Sequence, residues 1–325
     1  MKCNIKTPLF IIKWTHFEYW PFWLLYAPMV LYGLLLALRA RSLTYFTATN
    51  PSMKYGGAFD MEKTKILGQL DPIFVPQSLL ILRSTPFSEV IQKINKTTLN
   101  FPLIAKPNIG ERGINVEKIH SFSDLEYYLN NQYYDTLIQE FIDYPLELGI
   151  FYYRYPDGSK DGISSVVIKE LLTITGNGKD TLGQLLEKNT RARFRLKYLQ
   201  KKYHSSWNKI LSNGFKKCIE PIGNHNRGTK FIDGNHLINE QLISVFRQLS
   251  TSLPGYYYGR FDLKTRSTQD LYAGQHIKIL ELNGVNSEPA HIYDPHMNLI
   301  KAYAQIIKHM HIVLLISMQN MRGGA

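Results

Sequence analysis

The chain has 325 residues, 44% of them hydrophobic and 20% charged, which excludes a disordered chain and allows two domains or one with subdomains. Its formal charge of +12 invites a nucleic acid, an anionic membrane or a polyanionic ligand such as a nucleotide. No zinc-finger spacing or RNP-type aromatic motif accompanies that charge, so nucleic acid is not expected as a partner. Cys3 and Cys218 fit no metal or disulfide spacing and read as unpaired thiols in a reducing compartment.

Residues 19–38, YWPFWLLYAPMVLYGLLLAL, carry no charge and are long enough to cross a bilayer as a helix. Trp20, Trp23 and Tyr26 resemble an interfacial belt, and Arg39 and Arg41 close the far end. Pro21, Pro28 and Gly33 speak against a simple span, and lysines 2, 6 and 13 leave its orientation open. Two readings stand: a membrane-contacting segment, or an apolar hairpin packed on the protein. A cleavable signal is not expected, because the run is long and no small-x-small site follows.

Beyond Arg41 the pattern alternates. LTYFTAT (43–49) predicts a strand and MEKTKILGQL a short helix. IFVPQSLLI predicts an extended segment broken at Pro76, and PFSEVIQKI a helix. FPLIAKP (101–107) predicts an apolar strand, SFSDLEYYLNN a capped helix, and DTLIQEFI another strand. Residues 146–172 alternate like antiparallel sheet, whereas 181–202 predict one long basic helix. NEQLISVFRQLSTSL has amphipathic spacing, and two strands near 256–264 and 276–283 are expected around a polar loop with Gln269 and Asp270. The fold class is α+β or α/β.

Several stretches carry chemistry. In FPLIAKPNIGERGINVEKI a strand presents Lys106, and a loop with Gly110 and Gly113 leads to the next strand. Glycines let backbone approach a ligand, amide hydrogens there can hold phosphate oxygens, and a lysine can neutralise them. A plain hairpin has the same outline. In LIQEFIDYPLELGIFYYRY, Glu140 ends one strand and Glu147 begins another, which suits either a nucleotide hinge or two solvated carboxylates. In IKILELNGVNSEPAHIYDP, Glu281 and Asn283 lie two apart and so share one face of a strand. A carboxylate on so apolar a strand needs a partner. His276, His291 and His296 fit no compact zinc site.

Taken in order (lysine strand, glycine loop, Glu-Phe-Ile, second glutamate, then Asp262 and Glu281-x-Asn283), these residues resemble the ATP-grasp superfamily. The resemblance is to its carboxylate–amine ligases related to D-alanine–D-alanine ligase, over about residues 75–295. TITGNGKDTLGQLLEKNTRARFR is similar to the GDGK-type loop and helix of amino-acid and cyanophycin-type ligases, with Asn177 where that pattern has aspartate. The resemblance implies an ATP-grasp fold with two α+β subdomains clamping ATP. It divides the chain into an apolar N-terminal segment (1–41), a pre-grasp region (42–100), the ATP-grasp domain (101–310) and a tail (311–325).

It further implies that Lys106 touches phosphates under a flap of Gly110, Arg112 and Gly113. Glu140, Phe141 and Ile142 would form the adenine hinge, and Glu147 would bind ribose. Lys169 would be a second phosphate contact. Mg²⁺ (or Mn²⁺) would sit on Asp262, Glu281 and Asn283. Arg260 either stabilises the transferring phosphoryl group or simply pairs with a nearby carboxylate. Substrate contacts are expected from Arg227, Gly228, Ser287, Glu288 and His291. The basic residues of 191–202 are either a solvated face or a draw for an acidic substrate.

The expected activity is ATP-dependent joining of a small-molecule or peptide carboxylate to an amine, in the cytoplasm or at the inner face of its membrane. Phosphorylation of a hydroxyl on the same fold, and a membrane-tethered nucleotide-binding module without turnover, are the alternatives.

Overall fold

A computed structural model describes residues 7–59, 62–110 and 113–324. Helices α1 (Leu9–Thr15) and α2 (Phe22–Ala40) come first, then the short α3 (Lys63–Leu67). A smaller body follows: β1 (Ser78–Ile81), α4 (Phe87–Asn95), β2 (Leu103–Pro107), β3 (Glu117–Ile119), α5 (Phe122–Asn130) and β4 (Thr136–Glu140). Its four strands pair antiparallel in the order β1-β4-β2-β3. Val90 and Ile94 of α4 and Leu125 and Tyr128 of α5 bury against Leu103, Ala105 and Ile138 of this sheet. Ser121 begins α5 as expected, its hydroxyl accepting from the Asp124 amide at 3.1 Å.

The larger body is built on β5 (Leu146–Arg154), β6 (Asp161–Glu170), β9 (Lys230–Asp233), β10 (Tyr258–Thr265) and β11 (Ile277–Asn283), in the antiparallel order β11-β10-β5-β6-β9. Between β6 and β9 a small lobe inserts, made of β7 (Thr173–Thr175), α6 (Leu182–Lys188), α7 (Thr190–Arg193), α8 (Leu196–Lys202) and β8 (Lys216–Cys218). Helices α9 (Glu240–Thr251), α10 (Thr268–Tyr272) and α11 (Leu299–Arg322) complete the chain.

Strand alternation divides the large sheet into two faces. Leu148 and Ile150 of β5 and Phe261 and Leu263 of β10 point one way, where Leu242, Phe246 and Leu249 of α9 cover them. Each such side chain contributes about 2 kcal/mol on burial. Glu147, Gly149 and Phe151 of β5 share the other face with Tyr258, Arg260, Asp262 and Lys264 of β10, paired across the strands. That second face is split along its length. At one end Phe151 and Tyr258 pack under Ile312, Val313 and Ile316 of α11, and Leu36 and Ala37 of α2 lie over them. At the other end the face is polar and open. The layers therefore run α9, sheet, α11, α2, with α2 outermost.

The α+β class and the two facing bodies agree with expectation. Four local expectations do not hold. Residues 43–49 form a 3-10 turn rather than a strand. There Thr47 and Thr49 turn their hydroxyls back to the carbonyls of Thr44 and Phe46, and Thr49 also meets Ser317 of α11 at 2.8 Å. The expected long helix over 181–202 is three short ones: Asn189 is extended and caps α7, and Arg195 is also non-helical. The loop around Gln269 and Asp270 contains α10, capped by Ser267. Residues 311–322 are the second half of α11, not a tail.

Candidate active site

A cleft of about 920 Å³ separates the two bodies, with Lys106, Gln139, Phe141 and Ile142 on one side and Glu147, Lys169, Asp262 and Glu281 on the other. The polar end of the large sheet forms its floor. Arg260 stands opposite Asn283, and Asp262 opposite Glu281, with a bulge immediately after Asp262. Six cations (Lys13, Lys63, Lys106, Lys169, Arg260 and Lys264) and six carboxylates (Glu18, Glu140, Glu147, Asp262, Glu281 and Glu288) line this cleft, so it is charge-rich but balanced.

Asp262 is the hub. One carboxylate oxygen lies 2.9 Å from Lys169 Nζ, and the other accepts from Arg260 Nη2 and Asn283 Nδ2, both at 3.0 Å. Burial alone would favour its neutral form, but Arg260 and Lys169 outweigh burial and hold its pKa below the ordinary range. Lys169 shows the mirror effect: burial opposes its charge, while Asp262 and Glu147 raise its pKa. Glu147 bridges Lys169 at 3.4 Å and Lys264 at 3.8 Å. Arg260 is thus a strand-end arginine paired with a carboxylate, and its Nη1 also donates to the Glu288 carbonyl at 3.1 Å.

Lys106 faces this cluster from β2. It is buried and donates to Gln139 Oε1 at 2.9 Å and to the Leu280 carbonyl at 3.1 Å. Burial pushes its pKa down to about 8, with Glu281 opposing the shift and Lys63 adding to it. Beside it the glycine loop is gripped from two sides. Lys63 donates to the Gly110 carbonyl at 2.6 Å, and Arg227 to the Gly113 carbonyl at 2.8 Å. Gly113 takes a positive φ of 68° and needs glycine there. Arg112 lies outside the described residues.

At the expected hinge, Ile142 is buried and its carbonyl accepts from Lys264 at 3.0 Å. Lys118 Nζ sits 3.5 Å above the Phe141 ring. Glu140 is exposed at the strand end, where it accepts from the Gln77 amide at 3.4 Å. Glu147 departs from the ribose role that the resemblance implies: it is buried between two lysines, and Gly223 packs so close that a Cβ there would overlap its carboxylate.

The other candidates divide. Glu281 is not the buried orphan the strand pattern suggests; its side chain is 35% exposed to the cleft, with Lys63 3.9 Å away. Ser287 and Glu288 line the cleft, Ser287 bonded to the Gly284 carbonyl and Glu288 to the Tyr293 hydroxyl. Arg227, Gly228 and His291 are not in its wall. Arg227 turns toward buried Glu220, 3.6 Å away, which Arg195 and Lys202 also approach. His291 is buried on the same face of the sheet as the cleft but beyond its wall, with Ser165 Oγ at 2.6 Å. Part of the basic 191–202 stretch is therefore internal, neither a solvated face nor an open acidic-substrate trap. Asn177 caps its own loop, accepting from the amides of Lys179 and Asp180.

Sequence reasoning missed Lys63, Lys264, Gln139 and Gly149. Lys264 was within reach, since it continues the alternation of Arg260 and Asp262. It also missed the N-terminal wall: Tyr19, Trp20 and Pro21 line the cleft. Glu18 there is buried, bonded to Arg191 and to His225 Nε2 at 3.2 Å. Tyr19 stacks on Phe194 at 4.6 Å.

The magnesium that the resemblance implies would fall to Asp262, Glu281 and Asn283. Among the described residues no cluster of three or more His, Cys, Asp or Glu side chains could hold a metal. Two carboxylates and a carboxamide fit a hard cation that completes its shell with phosphate oxygens and water, not a cage made by protein alone.

No family model matches the chain, and no curated protein matches it. Solved structures do. The D-Ala:D-Ser ligase VanG of Enterococcus faecalis matches at 13% identity and a TM-score of 0.46, over 79% of this chain and 61% of that one. A bifunctional glutathione synthetase of Pasteurella multocida matches at 14% and 0.38, over 75% and 35%. A D-alanine–D-alanine ligase of Bacillus anthracis, complexed with ATP, matches at 13% and 0.45, over 85% and 72%. The chain thus spans less than two thirds of the first two of these structures.

Proposed function

We propose that the protein is an ATP- and Mg²⁺-dependent ligase that joins a carboxylate to an amine through an acyl phosphate. The observation that carries this reading is the cleft itself. Lysines from two separate sheets, Lys106 and Lys169, converge there on a floor where Asp262 faces Glu281. A triphosphate laid between the bodies meets cations from both walls, and the carboxylates leave room for a shared divalent ion.

In this reading an oxygen of the substrate carboxylate attacks the γ-phosphorus and ADP departs, leaving an acyl phosphate. The amine then attacks the acyl carbon, phosphate leaves with the C–O electron pair, and the amine proton passes to solvent. Bound magnesium would neutralise triphosphate charge on Asp262, Glu281 and Asn283. The protein's own groups bind and orient. Lys106 and Lys169 hold phosphate oxygens, and Glu147 fixes the amine positions of Lys169 and Lys264. Gly110 and Gly113 bring backbone close, and Phe141 and Ile142 border the base. Arg260, already fixed by Asp262, stabilises charge as the phosphoryl group moves. Ser287 and Glu288 are the nearest of the expected substrate contacts. Closure of the glycine loop excludes water, which otherwise hydrolyses an acyl phosphate.

The experiment incubates purified protein with ATP and Mg²⁺ against panels of amino acids and short peptides, following phosphate release and product mass. Release stimulated by an acid–amine pair, with an amide formed, supports the reading. A phosphorylated hydroxyl, or nucleotide binding without release, overturns it.

A further inference from the structure

Helix α2 forms the outermost layer of the fold and has two unlike faces. Inward, Leu25 and Met29 pack on Ile292, Ala302 and Ile306, and Leu36 and Ala37 pack on the α11 cluster. Outward, Trp23, Val30, Leu31, Leu34, Leu35 and Leu38 are 49–74% exposed. At 100° per residue these six fall in one continuous stripe opposite Leu25, Met29 and Leu36, with Ala37 at its edge. Helix α1 also presents Phe10 and Trp14, each more than half exposed. Few monomeric proteins leave so contiguous an apolar surface in water.

The rim of this surface has one sign of charge. From Phe22 to Leu38 there is no charged residue, while Lys13, Arg39 and Arg41 lie exposed at its two ends. Among residues 7–59 the only acid is Glu18, which is buried and bonded to Arg191 and His225. Trp14 and Trp23 sit toward one end, where amphipathic rings favour a headgroup boundary.

We propose that α1 and α2 dock the protein on the surface of a bilayer containing anionic lipids, with α2 lying in the interfacial plane. Apolar side chains enter the acyl boundary, and the terminal cations meet lipid phosphates. At 19 residues α2 is long enough to cross, but its inner face is already used. Crossing would strip Leu25, Met29, Leu36 and Ala37 from the body. Docking in the plane keeps those contacts and covers only what is exposed. The inference is independent of the nucleotide chemistry, since its readout is lipid binding.

The test floats full-length protein with vesicles of phosphatidylcholine alone or containing about 30% phosphatidylglycerol. Wild type is expected to float with the anionic vesicles and several-fold less with phosphatidylcholine alone. Trp23→Glu/Leu31→Glu/Leu35→Glu should cut the floated fraction at least about ten-fold, with circular dichroism and melting unchanged, because only exposed positions are altered. Arg39→Gln/Arg41→Gln should remove most of the anionic preference, and it decides the matter alone if the triple variant does not fold. In a Cys3→Ser/Cys218→Ser background, an impermeant maleimide added outside should label both Lys13→Cys and Arg41→Cys.

Protection of one of those sites shows crossing and overturns the in-plane reading. Failure of wild type to float, or flotation unaffected by either set of substitutions, overturns docking. A wild-type dimer that the triple variant dissolves, without flotation, assigns the surface to a second copy and overturns it too.

Discussion

Glu281 lies directly opposite Asp262 across the β10–β11 pair, yet the two carboxylates have different environments. Asp262 is buried and bound by Lys169, Arg260 and Asn283, while Glu281 is partly open to the cleft beside Lys63. Their removal should therefore read out differently. Glu281→Gln should leave the melting temperature nearly unchanged and lower Mg²⁺-dependent phosphate release about 100-fold or more. Unchanged release would remove Glu281 from the metal set.

Asp262→Asn should damage both properties. It leaves Lys169 and Arg260 buried with one fewer counter-charge, at a cost of about 3 kcal/mol. Urea denaturation measures this directly. A variant as stable as wild type would show that the cluster is relaxed by water.

Lys106 sets a pH dependence with two opposite signs. With its pKa pushed down to about 8, it is charged at pH 7 and loses its proton as pH rises through 8. ATP affinity of the free protein should fall over that step, and Lys106→Met should lack the step as well as most of the affinity. Stability moves the other way. Between pH 8 and about 10.5 the unfolded chain binds the proton that the folded chain has released, so this residue's contribution to stability rises with pH, by up to about 3 kcal/mol. The difference between wild-type and Lys106→Met unfolding curves from pH 7 to 10 isolates it.

Gly149 lies beneath the cluster, paired with Asp262 across β5 and β10. A Cβ there would come 2.8 Å from Val167 Cγ1 and 3.0 Å from Asp262 Oδ1. Gly149→Ala should cost about 1–3 kcal/mol and disturb the Lys169–Asp262 pair, lowering phosphate release more than it raises the Michaelis constant for ATP. Steady-state kinetics with a thermal melt checks both.

His309 of α11 governs an acid limb. Burial, with help from His291 and Lys308, lowers its pKa to about 3, and its Nδ1 lies 2.9 Å from the Tyr258 hydroxyl. Below its unfolded pKa near 6.5, the unfolded chain takes up a proton that the folded chain refuses. Stability should fall at about 1.4 kcal/mol per pH unit from this residue. His309→Gln should flatten that slope in urea titrations between pH 6 and 4.

The parts legible in the sequence were those where local pattern and tertiary demand coincide. Ser121 announces α5 because capping is a contact between near neighbours, and the period-two spacing of Glu281 and Asn283 survives because both lie on the same side of the bulge that leaves Leu280 of β11 unpaired with β10. LTYFTAT carries β-forming residues, but packing on α11 and threonine back-bonding override them. Distance along the chain hid the rest. Lys63 reaches Glu281 and Gly110 from a helix far upstream, and Glu220 gathers Arg195, Lys202 and Arg227 inside the small lobe. No spacing rule encodes such meetings.

The N-terminal wall has a practical corollary. Glu18 ties the opening segment to Arg191 and His225, and Arg193 donates to the Thr7 carbonyl at 3.0 Å. Shortened expression clones that begin after Arg41, a natural choice for improving solubility, would strip Arg191 and His225 of their carboxylate partner and leave one flank of the cleft missing. Inactivity of such a clone would report damage to the cleft wall, not the loss of an anchor.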